Sequence, residues 1–245
     1  MALVHELENS GNWLFKRRSW LPLFIIAAGI IIMYLGNRQA IIFDMRDELI
    51  FLGVSMFGEV IRILTVGFAP KNTSGRNTVN GQLADELNVT GIYSILRHPL
   101  YLGNFFMWLG PVLFLRSIGF TIVFGLIYWL YYERIMFAEE QFLRKKFGDI
   151  YDKWSETVSS FIPFTFNFIA PKLPFSIKKV LKGEYNSFIN IFVIFTLLDL
   201  FRNYFLSGKI YLNDMWIYLF VGAGVIWLAV RTIHKRTRWL EVEDK

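Results

Sequence analysis

Long apolar runs separated by short charged segments dominate the chain, and six of them approach the roughly 20 residues that a spanning helix needs. The first, Trp20 to Gly36, carries no charge. Its basic flank, Lys16-Arg17-Arg18, follows fifteen residues and no small-residue cleavage site comes after it, so it reads as an anchor and not a removed signal. The second runs from about Leu49 to Ala69 and contains Glu59 and Arg62. The third, Pro99 to Leu115, is short; it meets the fourth, Ser117 to Tyr132, at Arg116-Ser117, which predicts a tight helical hairpin. A polar stretch from about Glu133 to Ser187 precedes two further spans, Phe188 to Leu206 and Met215 to Val230. The expected fold class is all-α: one integral membrane domain over 1–245, with about six transmembrane helices and no internal repeat.

With Lys16-Arg17-Arg18 on the cytoplasmic side, six crossings return the chain to that side. The 71–97 loop, the 133–187 segment and the tail from Arg231 then face the cytoplasm and hold most of the Lys and Arg, as the positive-inside bias requires. Short loops at 37–48 and 207–214 lie outside. Richness in Phe, Ile, Asn and Lys suits an AT-rich genome and a bacterial inner membrane. The net charge of +6 is spread over the flanks of apolar spans and forms no separate basic module, which argues against a nucleic-acid partner. With no cysteine, disulfides, thiolate catalysis and cysteine-ligated metals are excluded. Three histidines (His5, His98, His234) are too scattered for a histidine metal site.

Two spans carry charged pairs at helical spacing, Glu59 with Arg62 and Asp199 with Arg202. Each reads either as a structural ion pair or as a functional intramembrane group. Of the two, Glu59-Arg62 sits nearer the cytoplasmic mouth.

The segment Gly91-Ile92-Tyr93-Ser94-Ile95-Leu96-Arg97-His98-Pro99 leads into the third span. Pro99 suits the first helical position, where a missing N–H costs nothing. Arg97 and His98 then stand at the membrane surface beside a positive helix N-terminus, with Tyr101 and Gly103 in the first turn. Gly103 permits close approach of a backbone or a ligand. An interfacial anchor fits the same residues.

A second helix, Glu133 to Phe147, continues the fourth span and is capped by Gly148. Met136, Leu143 and Phe147 form an apolar stripe on which Glu139 falls, so that carboxylate calls for a partner. Glu140 is explained by an ion pair with Arg144 four positions on.

Taken together, Arg97-His98-Pro99-Leu100-Tyr101-Leu102-Gly103, the apolar hairpin, Glu139-Glu140, Phe147-Gly148, Tyr151 and Phe161-Ile162-Pro163 resemble the isoprenylcysteine carboxyl methyltransferase and phospholipid methyltransferase superfamily. The likeness covers about Gly91 to Phe164, a catalytic core over 91–164, with two additional C-terminal helices at 186–232. It implies methyl transfer from S-adenosyl-L-methionine to a lipophilic acceptor in the bilayer. It also implies that His98, Tyr101, Gly103, Glu139 and Glu140 bind the cofactor. A sulfonium cation can rest on an aromatic face, a role open to Tyr101 or Tyr93. No Gly-x-Gly-x-x-Gly loop follows a predicted strand, methyl transfer needs no metal, and none is encoded.

A carboxylate or phosphate acceptor is already a nucleophile and needs orientation by a cation. Arg134, at the junction of the fourth span and the cytoplasmic helix, is the first candidate, with Arg97 and Arg76 behind it. An amine acceptor, as in phospholipid N-methylation, would need a base such as His98 or Glu139. The expectation is O-methylation of an anionic group on a lipid or lipid-modified substrate. A sterol-reductase-like enzyme using NADPH shares the Arg-His-Pro segment but fits the glutamate pair less well, and a lipid-binding protein with a decayed site is the non-enzymatic alternative.

Overall fold

The computed structural model describes residues 2–18, 21–36, 44–70, 76–78, 81–164 and 166–241, without the side chains of 21–23, 76–78 and 81–83. Trp20, residues 37–43 and Lys71 to Gly75 therefore lie outside the described residues, as does the side chain of Arg76.

Among the described residues the chain forms eight helices: α1 (Leu3–Lys16), α2 (Leu21–Leu35), α3 (Met45–Phe68), α4 (Pro99–Phe114), α5 (Ile118–Phe147), α6 (Asp149–Thr157), α7 (Ile177–Ser207) and α8 (Asp214–Arg236). A small antiparallel hairpin, β1 (Arg76–Thr78) with β2 (Gly81–Leu83), is added in the 71–97 loop. Over the described residues all six apolar runs of the sequence are helical. Four of them, α3, α5, α7 and α8, are long and apolar enough to cross a membrane, and the apolar helices at Phe24–Leu35 and Pro99–Phe114 are shorter. Large apolar side chains stay exposed along these helices, among them Phe24, Ile31, Phe57, Ile122, Leu126, Ile127, Val221 and Leu228, as lipid-facing surfaces require.

Local chemistry fixes the helix ends. The Asp44 carboxylate accepts from Asp47 N at 3.1 Å to cap α3, and Ser117 Oγ accepts from Phe120 N at 3.3 Å to cap α5. Arg116 turns the α4–α5 hairpin with a φ of 51° and is held by an ion pair with Asp47. The break between α5 and α6 falls at Gly148, with a φ of 53°.

α5 runs unbroken from Ile118 to Phe147, as expected of a helix that continues the fourth span, because Glu133 to Lys146 holds good helix formers and no breaker. α1 was not anticipated; it lies against the second half of α5, with Gly11 on the Arg134 backbone, Tyr131 Oη donating to Leu14 O at 3.0 Å and Phe15 buried.

α3 and α4 cross at close range through small residues. A Cβ on Gly103 would lie 2.6 Å from Arg62 Cγ and 2.8 Å from Gly58 O, and Ser55 Oγ donates to Met107 O at 2.9 Å. Away from the start of α4, Phe114, Phe195 and Trp216 fill the core between α3, α4, α7 and α8, the last two rings stacked at 5.0 Å. Asp199 and Arg202 do pair there, as their spacing predicts, and the pair is extended. Arg202 Nη1 lies 2.8 Å from Glu48 Oε1, and Asn213 donates to Asp199 from its backbone N at 2.9 Å and its Nδ2 at 2.7 Å.

The other intramembrane pair is corrected. Arg62 does not serve Glu59; it donates from Nε and Nη2 to Glu184 of α7 at 2.9 and 3.0 Å, and from Nη1 to Asn104 of α4 at 2.7 Å. A fork of two parallel bonds to one carboxylate suits a guanidinium better than a single partner on its own helix.

Candidate functional site

The approach to α4 is built before any side chain meets. Gly91 takes a φ of 63°, its N–H donates to Ile169 O at 2.8 Å, and its carbonyl accepts from Ser94 Oγ at 2.7 Å. A single 3-10 turn, Ile92–Ser94, follows. The next residues run parallel to the segment after α6: Arg97 N donates to Ser159 O at 2.9 Å and His98 N to Ser160 O at 3.0 Å. Pro99 then opens α4, where its missing N–H costs nothing, and the His98 carbonyl accepts from Tyr101 N at 3.2 Å. Backbone pairing on one side and a helix start on the other leave the Arg97 and His98 side chains little freedom.

Those side chains meet the glutamate pair of α5. His98 Nε2 lies 3.0 Å from Glu140 Oε1 and His98 Nδ1 lies 3.4 Å from Glu139 Oε2. Tyr101 Oη donates to Glu139 Oε1 at 2.8 Å, and Arg97 Nε lies 3.1 Å from Glu140 Oε1. Arg97 is further anchored by Nη1 donating to Ser155 O at 2.5 Å. Because each ring nitrogen faces a carboxylate, the doubly protonated imidazolium satisfies both; a neutral ring would turn a lone pair toward one of them. Burial works against protonation, but the hydrogen bonds and charges of Glu139 and Glu140 outweigh it, so the His98 pKa is raised above its ordinary value.

Aromatic rings back the cluster. His98 stacks near Tyr101 at 5.7 Å, Tyr101 lies 4.8 Å from Tyr132, and Tyr132 stacks on Tyr128 at 4.3 Å. Tyr128 Oη donates to Tyr101 O at 2.6 Å, tying α5 to α4 one turn inside the helix start. On the α6 side, burial and then Glu140 push the Tyr151 hydroxyl pKa up.

The structure thus brings together Arg97, His98, Tyr101, Glu139 and Glu140 from the residues expected. Gly103 lies on the face of α4 that packs on α3, so the backbone-approach reading of that glycine is the one realised. The Tyr93 side chain is buried, and its carbonyl accepts from Trp154 Nε1 at 3.2 Å. Arg134 turns toward α1, with Nη1 3.4 Å from Ser10 Oγ. The expected Glu140–Arg144 pair is not formed. Arg144 Nε donates to Asp152 of α6 at 2.7 Å, and Glu140 turns inward to His98 and Arg97, whose burial makes the stronger electrostatic partner.

Sequence reasoning missed Ser155 and Trp154, which act through a backbone carbonyl and an indole N–H, and Asn104 and Glu184, which hold Arg62. No local pattern marks them, since each partner lies 42 or more residues away in the chain.

Two carboxylates, a guanidinium, a phenol and stacked rings within one cluster form a donor set that fits a ligand bearing amino and hydroxyl groups beside a cation. Residues 50–150 match the phospholipid methyltransferase family. A protein-S-isoprenylcysteine O-methyltransferase of Schizosaccharomyces pombe is 41% identical over 81 residues, covering 32% of this chain and 34% of its own. A probable protein-S-isoprenylcysteine O-methyltransferase of Oryza sativa subsp. indica is 32% identical over 117 residues, covering 46% and 61%. Protein-S-isoprenylcysteine O-methyltransferase A of Arabidopsis thaliana is 30% identical over 108 residues, covering 44% and 54%. The chain therefore spans between about a third and three-fifths of the length of these relatives. No solved structure matches. These matches bear out the superfamily resemblance read from Arg97 to Gly103 and the glutamate pair.

Proposed function

We propose, from a chain that carries the core of the isoprenylcysteine carboxyl and phospholipid methyltransferase superfamily, that it transfers a methyl group from S-adenosyl-L-methionine to a lipophilic acceptor. The reaction proposed is O-methylation of a carboxylate or phosphate on a lipid or lipid-modified substrate. The observation that carries this reading is His98 held between Glu139 and Glu140 inside the matched region. The O-methyl preference is supported by relatives that are named as O-methyltransferases.

When bound, S-adenosyl-L-methionine supplies an electrophilic methyl group on a positively charged sulfur. Glu139 and Glu140 would receive its amino and ribose hydroxyl groups, with Tyr101 presenting a ring face. His98 keeps both carboxylates in register by carrying its proton between them. Arg97, fixed by Ser155 O and Glu140, and Arg134, at the α1 side of α5, are the proposed acceptor-positioning cations. An anionic oxygen needs no base, so the chain's contribution is alignment and exclusion of water. In this reading α2, α3, α4, α5, α7 and α8 make six crossings, the site and both termini face the cytoplasm, and the membrane is a bacterial inner membrane.

The test is labelled-methyl transfer by the purified protein to total membrane lipids, followed by mass analysis of the product. A lipid gaining one methyl at an acidic group, with loss in His98→Ala and Glu140→Ala, is the expected result. Tight NADPH binding without affinity for S-adenosyl-L-methionine would overturn it in favour of a reductase.

A further inference from the structure

The cluster around His98 makes no use of Glu59. That side chain is fully buried on α3, and neither carboxylate oxygen has a hydrogen-bond partner. The arginine one turn on is committed to Glu184 and Asn104. Buried polar groups are nearly always paired, and an unpaired carboxyl is among the costliest to bury. Such a group in a membrane helix marks a functional site by default.

Its surroundings specify a ligand chemistry. The guanidinium nearby is forked onto Glu184, so the Glu59 carboxyl is left without a hydrogen-bonding partner, a place that a bound monocation could take. Asn104 stands between Arg62 and the Tyr132 hydroxyl, so the tyrosines Tyr101, Tyr128 and Tyr132 border the same region. Ring faces and a carboxylate together favour an onium ion over an anion. The close α3–α4 crossing, where Gly58 meets Gly103, puts Glu59 next to the helix that carries Tyr101.

We propose that Glu59 is the counter-ion of a bound onium group, a sulfonium or an ammonium, seated between α3 and the tyrosines of α4 and α5. This rests on the methyltransferase reading. Two sources carry such a group: the sulfonium donor itself, or the ammonium headgroup of an aminolipid.

Glu59→Gln keeps the shape and removes the charge. The purified full chain in lipid nanodiscs is titrated with S-adenosyl-L-methionine and with S-adenosyl-L-homocysteine, whose sulfur is neutral. Retention of phosphatidylethanolamine against phosphatidylglycerol is measured alongside. If the sulfonium is the occupant, Glu59→Gln weakens the charged donor about tenfold and leaves the neutral analogue within about twofold, and Glu59→Asp restores part of the discrimination. If an aminolipid is the occupant, donor discrimination is unchanged and preference for phosphatidylethanolamine is lost. Equal weakening of both donor forms with a lower melting temperature, or no change in any arm, overturns the proposal. Failure of the wild-type protein to bind either donor form overturns the methyltransferase reading instead, and the aminolipid arm still tests the pocket.

Discussion

His98 Nε2 and Glu140 Oε1 lie 3.0 Å apart, joining the first residue before α4 to the last third of α5 across 42 positions of sequence. The pairing depends on three separate supports. Backbone hydrogen bonds to residues 159–160 hold His98, a continuous helix presents Glu140, and Glu139 faces the opposite ring nitrogen.

Because the folded-state pKa of His98 is raised, its stabilising contribution is fully present below the ordinary imidazole value of 6.5 and is lost as pH rises through the folded value. Wild-type protein is therefore expected to exceed His98→Asn in thermal stability most at mildly acidic pH. The two melting curves should converge as the solution becomes alkaline. A difference that grows with pH would refute the imidazolium assignment.

Glu140 serves His98 and Arg97 together, so the three should not act independently. A double-mutant cycle of His98→Asn with Glu140→Gln is expected to give a coupling of about 1–3 kcal/mol by chemical denaturation in detergent. Arg144→Ala, which removes a pair with Asp152 exposed on both sides, should cost at most about 1 kcal/mol in the same assay.

The Arg62–Glu184 fork joins a half-buried guanidinium to a buried carboxylate, at 16% and 4% side-chain exposure. Arg62→Ala should destabilise by about 3–5 kcal/mol, since it strands the Glu184 carboxylate. Replacing both by apolar residues of similar volume should recover most of that loss. Unfolding midpoints of the wild type and the two variants decide the matter.

Glycine substitutions separate the helix crossing from the lipid-facing surface. Gly103→Ala would drive a methyl group into Arg62 Cγ and the Gly58 carbonyl and should cost about 1–3 kcal/mol. Gly125→Ala, with nothing within 4 Å of the added Cβ, should be neutral or stabilise α5 by about 0.5–1 kcal/mol. Equal melting temperatures for the two would contradict the α3–α4 contact.

What the sequence made legible follows from what is local. Six apolar runs became helices because hydrophobicity is summed along the chain, and Pro99, Ser117 and Gly148 marked ends because caps act over a few residues. The Asp199–Arg202 pair was readable for the same reason. Partners in space were not: Glu59 and Arg62 looked like a pair by spacing, yet Glu184 from 122 positions away took the guanidinium. Glu140 looked bound to Arg144, yet a buried imidazole outcompeted an exposed guanidinium. α1 escaped notice because its apolar face is narrow and becomes meaningful only against α5.

The unbroken length of α5 has one more consequence. Thirty residues at 1.5 Å each make a rod of about 45 Å, longer than the roughly 30 Å of hydrocarbon it could cross. It therefore works as a ruler, fixing both the height and the azimuth of the glutamates relative to the lipid-facing residues near its start. One residue inserted before Glu133 would swing the pair by about 100° away from His98, whereas seven would restore the direction but shift the pair by about 10 Å along the axis.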